Sequence, residues 1–411
     1  MTPSFAQLKT VRGLDCGPLA RHVETYVTLL QEQGYQPRTV REHLHLIAHV
    51  NRWLVRTGRG PRDLNEPVLA RFLKHHWRRA RSDYGAWPAL CRLLGILREA
   101  GVAPPAPAKP RNPAQRLADD YRTYLSDARG LDRSTIYHYS RHSETFLTER
   151  FGCGAVRLST LQAPEVISFV RRHVRRHGSG HALQVVTALR SFLRFLHYRG
   201  HVTTDLSPVV PAVAHWRLAG LPKHLPANDV QKVLDHCDRM TAVGRRNYAI
   251  LLLLARLGLR AGEVIALHLE DIDWEKSQLT IRSKKGCGWA RLPLPADVGK
   301  ALAVYLRQDR PRCSCRHVFV RMVAPYVRLS DSPVIAVMTR NALLKAGVVS
   351  ARKGAHLFRH SLATEMLRQG ASLEEIGQVL RHKDPDSTAI YAKVDLDALR
   401  QLAVAWPGGG R

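Results

Sequence analysis

Two clusters of proline constrain this chain more than any other feature. Val102 to Pro113 holds Pro104, Pro105, Pro107, Pro110 and Pro113, and Ser207 to Pro226 holds Pro208, Pro211, Pro222 and Pro226. Proline fixes φ and lacks a backbone N–H, so neither stretch suits the middle of a helix or the inside of a sheet. Both read as linkers, dividing the 411 residues into segments 1–103, 114–205 and 222–411. Segments of this size can each bury a core without disulfides.

The first two segments look like copies of one another. Gly34 to Thr39 has the spacing of Gly130 to Thr135, and Leu64-Asn-Glu-Pro-Val answers Leu161-Gln-Ala-Pro-Glu-Val. Ala89 to Gly101 likewise answers Ala188 to Gly200. Apolar residues recur at three- and four-residue spacing, as in Leu90, Leu93, Leu94, Leu97 and in Leu189, Phe192, Leu193, Leu196, which predicts a small helical bundle for each copy. A basic cluster recurs as well: Lys74, Arg78, Arg79 and Arg81 in copy one, Arg171, Arg175 and Arg176 in copy two. Either cluster alone reads equally well as a solvated helix face. Recurrence in both copies favours contact with phosphates, which fixes position on a duplex and says little about its sequence.

The third segment changes period. Asn228 and Gln231 have capping-box spacing ahead of Val230, Val233 and Leu234, and the apolar run 249–254 predicts a buried helix over about 245–257. Leu279 to Lys284 and Trp289 to Leu294 alternate around Lys285-Gly-Cys-Gly288 and predict a hairpin. Helices follow near 296–308 and 338–346. Three more close the chain: one ending near Gly370, one opened by Ser372 with Glu375, and a last from about Thr388 to Val404.

Composition narrows the class of partner. Sixty-three Lys and Arg against 34 Asp and Glu give +29, and the pI is near 10.5, which favours a polyanion. The longest uninterrupted apolar run, Ala249 to Ala255, is far short of the roughly 20 residues of a membrane span, so nucleic acid is the expected partner and a membrane is not. Seven scattered cysteines argue for a reducing compartment. The expectation is a bacterial cytoplasmic, nucleoid-associated protein.

Chemistry-bearing residues stand in order along the third segment: Arg260 in Leu-Gly-Leu-Arg-Ala-Gly-Glu263, Lys285 in the hairpin, His356-Leu-Phe-Arg359, His382 in Leu-Arg-His, and Tyr391. Breaking a phosphodiester calls for a nucleophile, cations on the non-bridging oxygens and an acid for the leaving oxygen. A phenol is a weak nucleophile at neutral pH, so Tyr391 needs positive surroundings. Arg260 and Arg359 can supply them, and their planar forks match pairs of phosphate oxygens. His356 and His382 can donate to the same oxygens or exchange a proton with the tyrosine. Glu263, three residues after Arg260, either orients that guanidinium or is an ordinary first-turn glutamate.

The ordered set closely resembles the tyrosine recombinases, or phage-type integrases, over all of 222–411, including the Leu-Gly-Leu-Arg-x-Gly-Glu box and the Thr388-x-x-Tyr391 ending. The resemblance extends more weakly to segment two. It implies a mainly α fold: two tandem helical, SAM-like DNA-binding domains, then a mixed, mostly helical catalytic domain carrying a small β-hairpin sheet. It implies a site-specific recombinase or integrase, of a mobile element, that joins Tyr391 to a 3′ phosphate without metal or ATP and clamps double-stranded DNA at recombination sites. In the family, exchange engages four protomers on two duplexes, so a homotetramer on DNA is expected, with helper recombinases or host factors as further partners. A hairpin lysine protonates the leaving 5′ oxygen; its place here is Lys285, and strand alternation allows only one of Lys284 and Lys285 to face the phosphate. The sequence departs from the commonest pattern at Leu380-Arg381-His382, where glycine usually precedes the histidine, which puts the shape of that loop in question. The tail Val394 to Trp406 suits a helix docking on a neighbouring subunit or on its own domain.

Other readings are weaker. Cys313-Ser-Cys315-Arg-His317 has no second ligand pair at zinc spacing, and Gly286-x-Gly288 lacks the rest of a phosphate loop. A type IB topoisomerase would share the nucleophile and clamp, and an architectural DNA-binding protein would share the charge. The duplicated DNA-binding segments favour recombination at defined sites over relaxation, and the presence of all six catalytic positions weighs against the architectural protein.

Overall fold

The computed structural model describes residues 14, 16–76, 85–107, 111–176, 179–213, 222–282, 288–382 and 384–394. Lys284, Lys285, Arg78, Arg79, Arg81 and the tail beyond Val394 lie outside the described residues.

Copy one contributes helices α1 (Ala20–Glu32), α2 (Pro37–Thr57), α3 (Glu66–His76) and α4 (Ala86–Glu99). Proline begins α2, where its missing N–H costs no hydrogen bond, and Gly58 at φ +63° ends it. Its inward face (Val40, Leu44, Ile47, Leu54) joins Leu90, Leu93 and Leu97 of α4 in one core. Copy two gives α5 (Pro113–Asp127), α6 (Arg133–Phe151), α7 (Ala163–Arg176) and α8 (Ser179–Tyr198), so four helices recur in the same order. A 3₁₀ turn precedes the third helix in both, at Pro61–Asp63 and Leu158–Thr160. Asn112 caps α5 with a reciprocal bond to Gln115, and Asp132 caps α6. The stripes are core: Leu189, Phe192, Leu193 and Leu196 pack with Tyr121, Phe146 and Phe169.

The chain forms two compact units. One comprises Met1–Ala106 with Leu221–Arg411, and the other is Pro107–Gly220. Within the first, the turn after α1 touches the third segment: the Tyr326 amide donates to the Gln33 carbonyl at 3.1 Å. Gly34 sits there at φ +78°, and a Cβ on it would lie 2.2 Å from the Tyr326 ring.

The third segment runs α9 (Ala227–Asp235), α10 (Ala242–Arg256), α11 (Ala261–Ala266), strands β1 (Ile272–Asp273), β2 (Gln278–Arg282) and β3 (Trp289–Pro293), then α12 (Ala296–Val304), α13 (Ser332–Lys345), α14 (His356–Arg368), α15 (Leu373–Leu380) and the short α16 (Asp386–Ala389). The strands form an antiparallel sheet in the order β1-β2-β3, with Leu279 opposite Leu292 and Arg282 opposite Trp289. The α10 run from Ala249 to Leu254 is fully buried at the centre of this segment's core. Mostly helical, with one small sheet, the chain has the mainly α class expected from its sequence.

Two local expectations need correction. The α9 capping box does not form: Pro226 occupies the N-cap position, so Asn228 lies inside the helix and no side chain caps its start. The last helix does not begin at Thr388: α16 starts two residues earlier, where the Pro385 carbonyl accepts from the Thr388 and Ala389 amides, and Ile390–Val394 tightens to 3₁₀. No helix among the described residues is long and apolar enough to cross a membrane.

Candidate active site

The site assembles on α14. His356 is its first residue, and Arg359 and His360 stand three and four positions on, where side chains share one helix face. Arg359 is 3% exposed. Its Nη1 donates to the Gly258 carbonyl at 2.5 Å and its Nη2 to the Leu380 carbonyl, so one side chain ties together the turn before Arg260 and the turn before His382. Gly258 makes this possible. It is left-handed (φ +57°), and a Cβ there would lie 2.8 Å from Leu380 and 3.1 Å from Leu362. Burial and the nearby Arg260 and Arg381 charges lower the Arg359 pKa to about 10, which leaves it protonated at neutral pH.

Arg260 is the N-cap residue of α11. Glu263 reaches back to it twice, accepting from the Arg260 amide at 2.9 Å and from Nη1 at 2.8 Å, so the glutamate does touch that guanidinium. The Arg260 side chain remains 40% exposed and, among the described residues, has no other protein partner. Burial works against the Glu263 charge, yet its bonds to the Arg260 backbone and the charges of Arg381 and Arg260 bring its pKa below the usual range.

Tyr391, 1% exposed, lies in a small core with Ala363, Ile376 and Leu380. Burial pushes its pKa up to about 12, against the pull of Arg359 and Arg260. Its hydroxyl is 2.8 Å from His360 Nδ1. The His382 ring lies parallel to the Tyr391 ring, with centroids 6.5 Å apart, and its Nδ1 is 2.7 Å from the buried Thr388 hydroxyl. Burial, with surrounding positive charge, lowers both His360 and His382 to about 4. His356 is open to solvent; the protein packed behind it and the arginines Arg359, Arg260 and Arg352 lower its pKa too.

Five of the six residues singled out in the third segment therefore converge: Arg260, His356, Arg359, His382 and Tyr391. The sixth, Lys285, lies outside the described residues. His360 is the one the sequence reading passed over. It shares a helix face with His356, with which its ring is 6.4 Å apart, and it is His360 that reaches the tyrosine hydroxyl. Its signal was present in the i, i+4 spacing from His356. Lys74, Arg171, Arg175 and Arg176 are exposed at the C-terminal ends of α3 and α7. Cys315 Sγ is 3.6 Å from His317 Nδ1, and among the described residues no cluster of three or more groups could hold a metal ion.

Comparison with known proteins decides the family. The profile of the phage integrase family matches residues 223–397. The candidate integrase/recombinase y4rA of Sinorhizobium fredii is 42% identical over 394 residues, 95% of each chain. The chain belongs to the phage integrase family, the tyrosine recombinases. The tyrosine recombinase XerD of Listeria monocytogenes is 28% identical over 284 residues, 68% of this recombinase and 94% of its own length. In fold, the recombinase resembles the XerH site-specific recombinase in its complex with a palindromic difH substrate. The TM-score is 0.56 at 18% identity, with 70% of this chain and 84% of that chain aligned.

Proposed function

We propose that this recombinase cuts and rejoins duplex DNA at defined sites through a covalent link between Tyr391 and a 3′ phosphate. Tyr391 Oη attacks phosphorus while its proton passes to His360 Nδ1. The bond from phosphorus to the 5′ oxygen breaks, and that oxygen takes a proton from Lys285. A 5′ hydroxyl from another strand then attacks the phosphotyrosyl bond, Tyr391 recovers a proton from His360, and Lys285 is restored. The bond energy is conserved, and cations and proton carriers come from side chains, so the scheme calls for neither metal nor ATP. Arg260, half open to solvent with donors to spare, takes the non-bridging oxygens. Arg359, fixed by two carbonyls, supplies positive charge from behind. His382, held at Nδ1 by Thr388, keeps Nε2 for a further contact to the phosphate.

One observation carries this reading. A buried tyrosine hydroxyl hydrogen-bonds a neutral imidazole beside two guanidiniums, which is what a phenol needs to become a nucleophile. The relatives add to it, since names and structures among them speak of recombination and of DNA substrates. The net charge of +29 and the exposed arginines of α7 suit a duplex partner. Exchange between two duplexes then takes four protomers, and the relatives called integrases suggest service to a mobile element.

A duplex nicked so that the 5′ product diffuses away tests the reading. The wild type accumulates a covalent protein-DNA adduct, and Tyr391→Phe forms none. An adduct on the Phe variant would move the nucleophile elsewhere, and wild type giving none on its own ends would leave an architectural protein. Relaxation of supercoils without exchange would instead identify a topoisomerase.

A further inference from the structure

Arg381 occupies the place where glycine usually stands, and it does so at visible cost. Its backbone is left-handed (φ 56°, ψ 47°) at the end of α15, a conformation that a side chain with a Cβ disfavours. Its side chain is only 13% exposed, and its Nε is a buried donor with no hydrogen-bond partner among the described residues. Costs of this kind persist where the surroundings hold the residue for another purpose. The rest of the side chain shows what holds it: Nη1 donates to the Val379 carbonyl at 2.9 Å, and Nη2 to Glu263 Oε2 at 3.1 Å.

Among the described residues, Glu263 is the one carboxylate paired with Arg260. A carboxylate beside a guanidinium that is meant to receive a phosphate is a competitor, because it offers the same planar pair of oxygens. Here the two oxygens are divided. Oε1 takes Arg260 Nη1, while Oε2 takes the Arg260 amide and Arg381 Nη2. Two guanidiniums, Arg260 and Arg381, bond one carboxylate, and the charge of Arg359 also feels it, so its negative charge is shared and the pocket keeps a positive excess.

We propose that Arg381 is a positioning residue that shares the second oxygen of Glu263 with the Arg260 amide, so that the carboxylate aims the Arg260 guanidinium through one bond without masking it from the substrate phosphate. This rests on the strand-cleavage reading above. Arg381 need not touch DNA.

Substitution separates charge from backbone shape, because the two requirements call for different residues. R381G relieves the left-handed strain and removes the charge, R381Q keeps the strain and removes the charge, and R381K keeps both. Each is assayed for adduct formation on the nicked duplex, alongside thermal unfolding and duplex affinity. R381G is expected to fold at least as stably as wild type, bind duplex within about two-fold, and cleave about ten-fold more slowly, the equivalent of one pKa unit of electrostatic support. R381Q should be slowed alike, and R381K should recover most of the rate. In an E263Q background, R381G should cost less than about three-fold, since the contact it acts through has lost its charge. The inference is overturned if R381G cleaves as fast as wild type, if R381K is as slow as R381Q, or if R381G costs the same in both backgrounds. Wild type forming no adduct would bring down the cleavage reading and this inference together; an active wild type with an indifferent R381G brings down the inference alone.

Discussion

The third segment and the two repeated segments present positive charge in opposite ways. Arg359 is sealed in the interior with both ends of its fork on backbone carbonyls, and Glu263 holds Arg260 from two sides. Lys74, Arg171, Arg175 and Arg176 instead stand in solvent at the ends of helices. The first arrangement fixes direction to within a hydrogen bond; the second supplies potential, which tolerates disorder in the side chain and is screened by salt. Function in the third segment should therefore fail with small displacements, while function in the repeats should fail with loss of charge.

The severest test of that contrast is Gly258→Ala. One methyl group must find room against Leu380 and Leu362 in a left-handed backbone. The cost should be about 2 to 4 kcal/mol of stability, and the shift of the Arg359 anchor should lower adduct formation by more than about 100-fold. Full cleavage by this variant, measured where it is still folded, would show that the arginine tolerates displacement after all.

His360→Gln tests the contact between His360 and the Tyr391 hydroxyl by pH. With His360 neutral down to about 4, the wild-type cleavage rate should be nearly flat from pH 6 to 8. Without the imidazole, Tyr391 has to ionise first, and with its pKa near 12 the rate should climb about ten-fold per pH unit. Stability should respond on the acid side. The unfolded histidine binds a proton near 6.5 and the folded one only near 4, so His360 contributes stability that is complete above 6.5 and lost as pH falls towards 4. The Gln variant should lose less stability over that interval, read from denaturant midpoints.

How much of this was legible follows from the kind of information each residue carries. Arg260, Arg359 and Tyr391 could be singled out because the expected chemistry calls for their residue types in that order, and the fold brings them together. His360 could not be separated from His356, because helix spacing puts both rings on one face and only the path of the chain thirty-one residues later decides which one meets the hydroxyl. The α9 cap failed as a reading because Pro226, its φ already fixed, takes the position before the helix and moves the start ahead of Asn228. The repeat was legible as a small helical bundle in each copy, since three- and four-residue spacing is a local property. Which copy would join the third segment in one unit was not, because that depends on a turn meeting a ring nearly three hundred residues away.

Charge in the repeats should show a gentler dependence. Replacing Arg171 and Arg175 with glutamine should weaken duplex binding at low salt and make the slope of log affinity against log salt shallower by about two units, with little dependence on DNA sequence. An unchanged slope would return α7 to an ordinary solvated face.

The smallest effect isolates the difference between the copies themselves. Gly34 and Gly130 hold matching places in the repeat and both are left-handed, at φ +78° and +56°. A Cβ at Gly34 strikes the Tyr326 ring, whereas one at Gly130 meets nothing within 4 Å among the described residues. Backbone strain is thus common to both, and steric contact belongs to one. Gly130→Ala should cost about 1 kcal/mol, and Gly34→Ala about 1 kcal/mol more, measured as unfolding of the unit each belongs to. Tyr326→Ala should remove the extra cost at Gly34, because the clash is with that ring, and leave Gly130→Ala unchanged. If the two glycines respond equally with Tyr326 present, the turn after α1 does not press on the third segment in solution, and copy one's membership of that unit rests on something other than this contact.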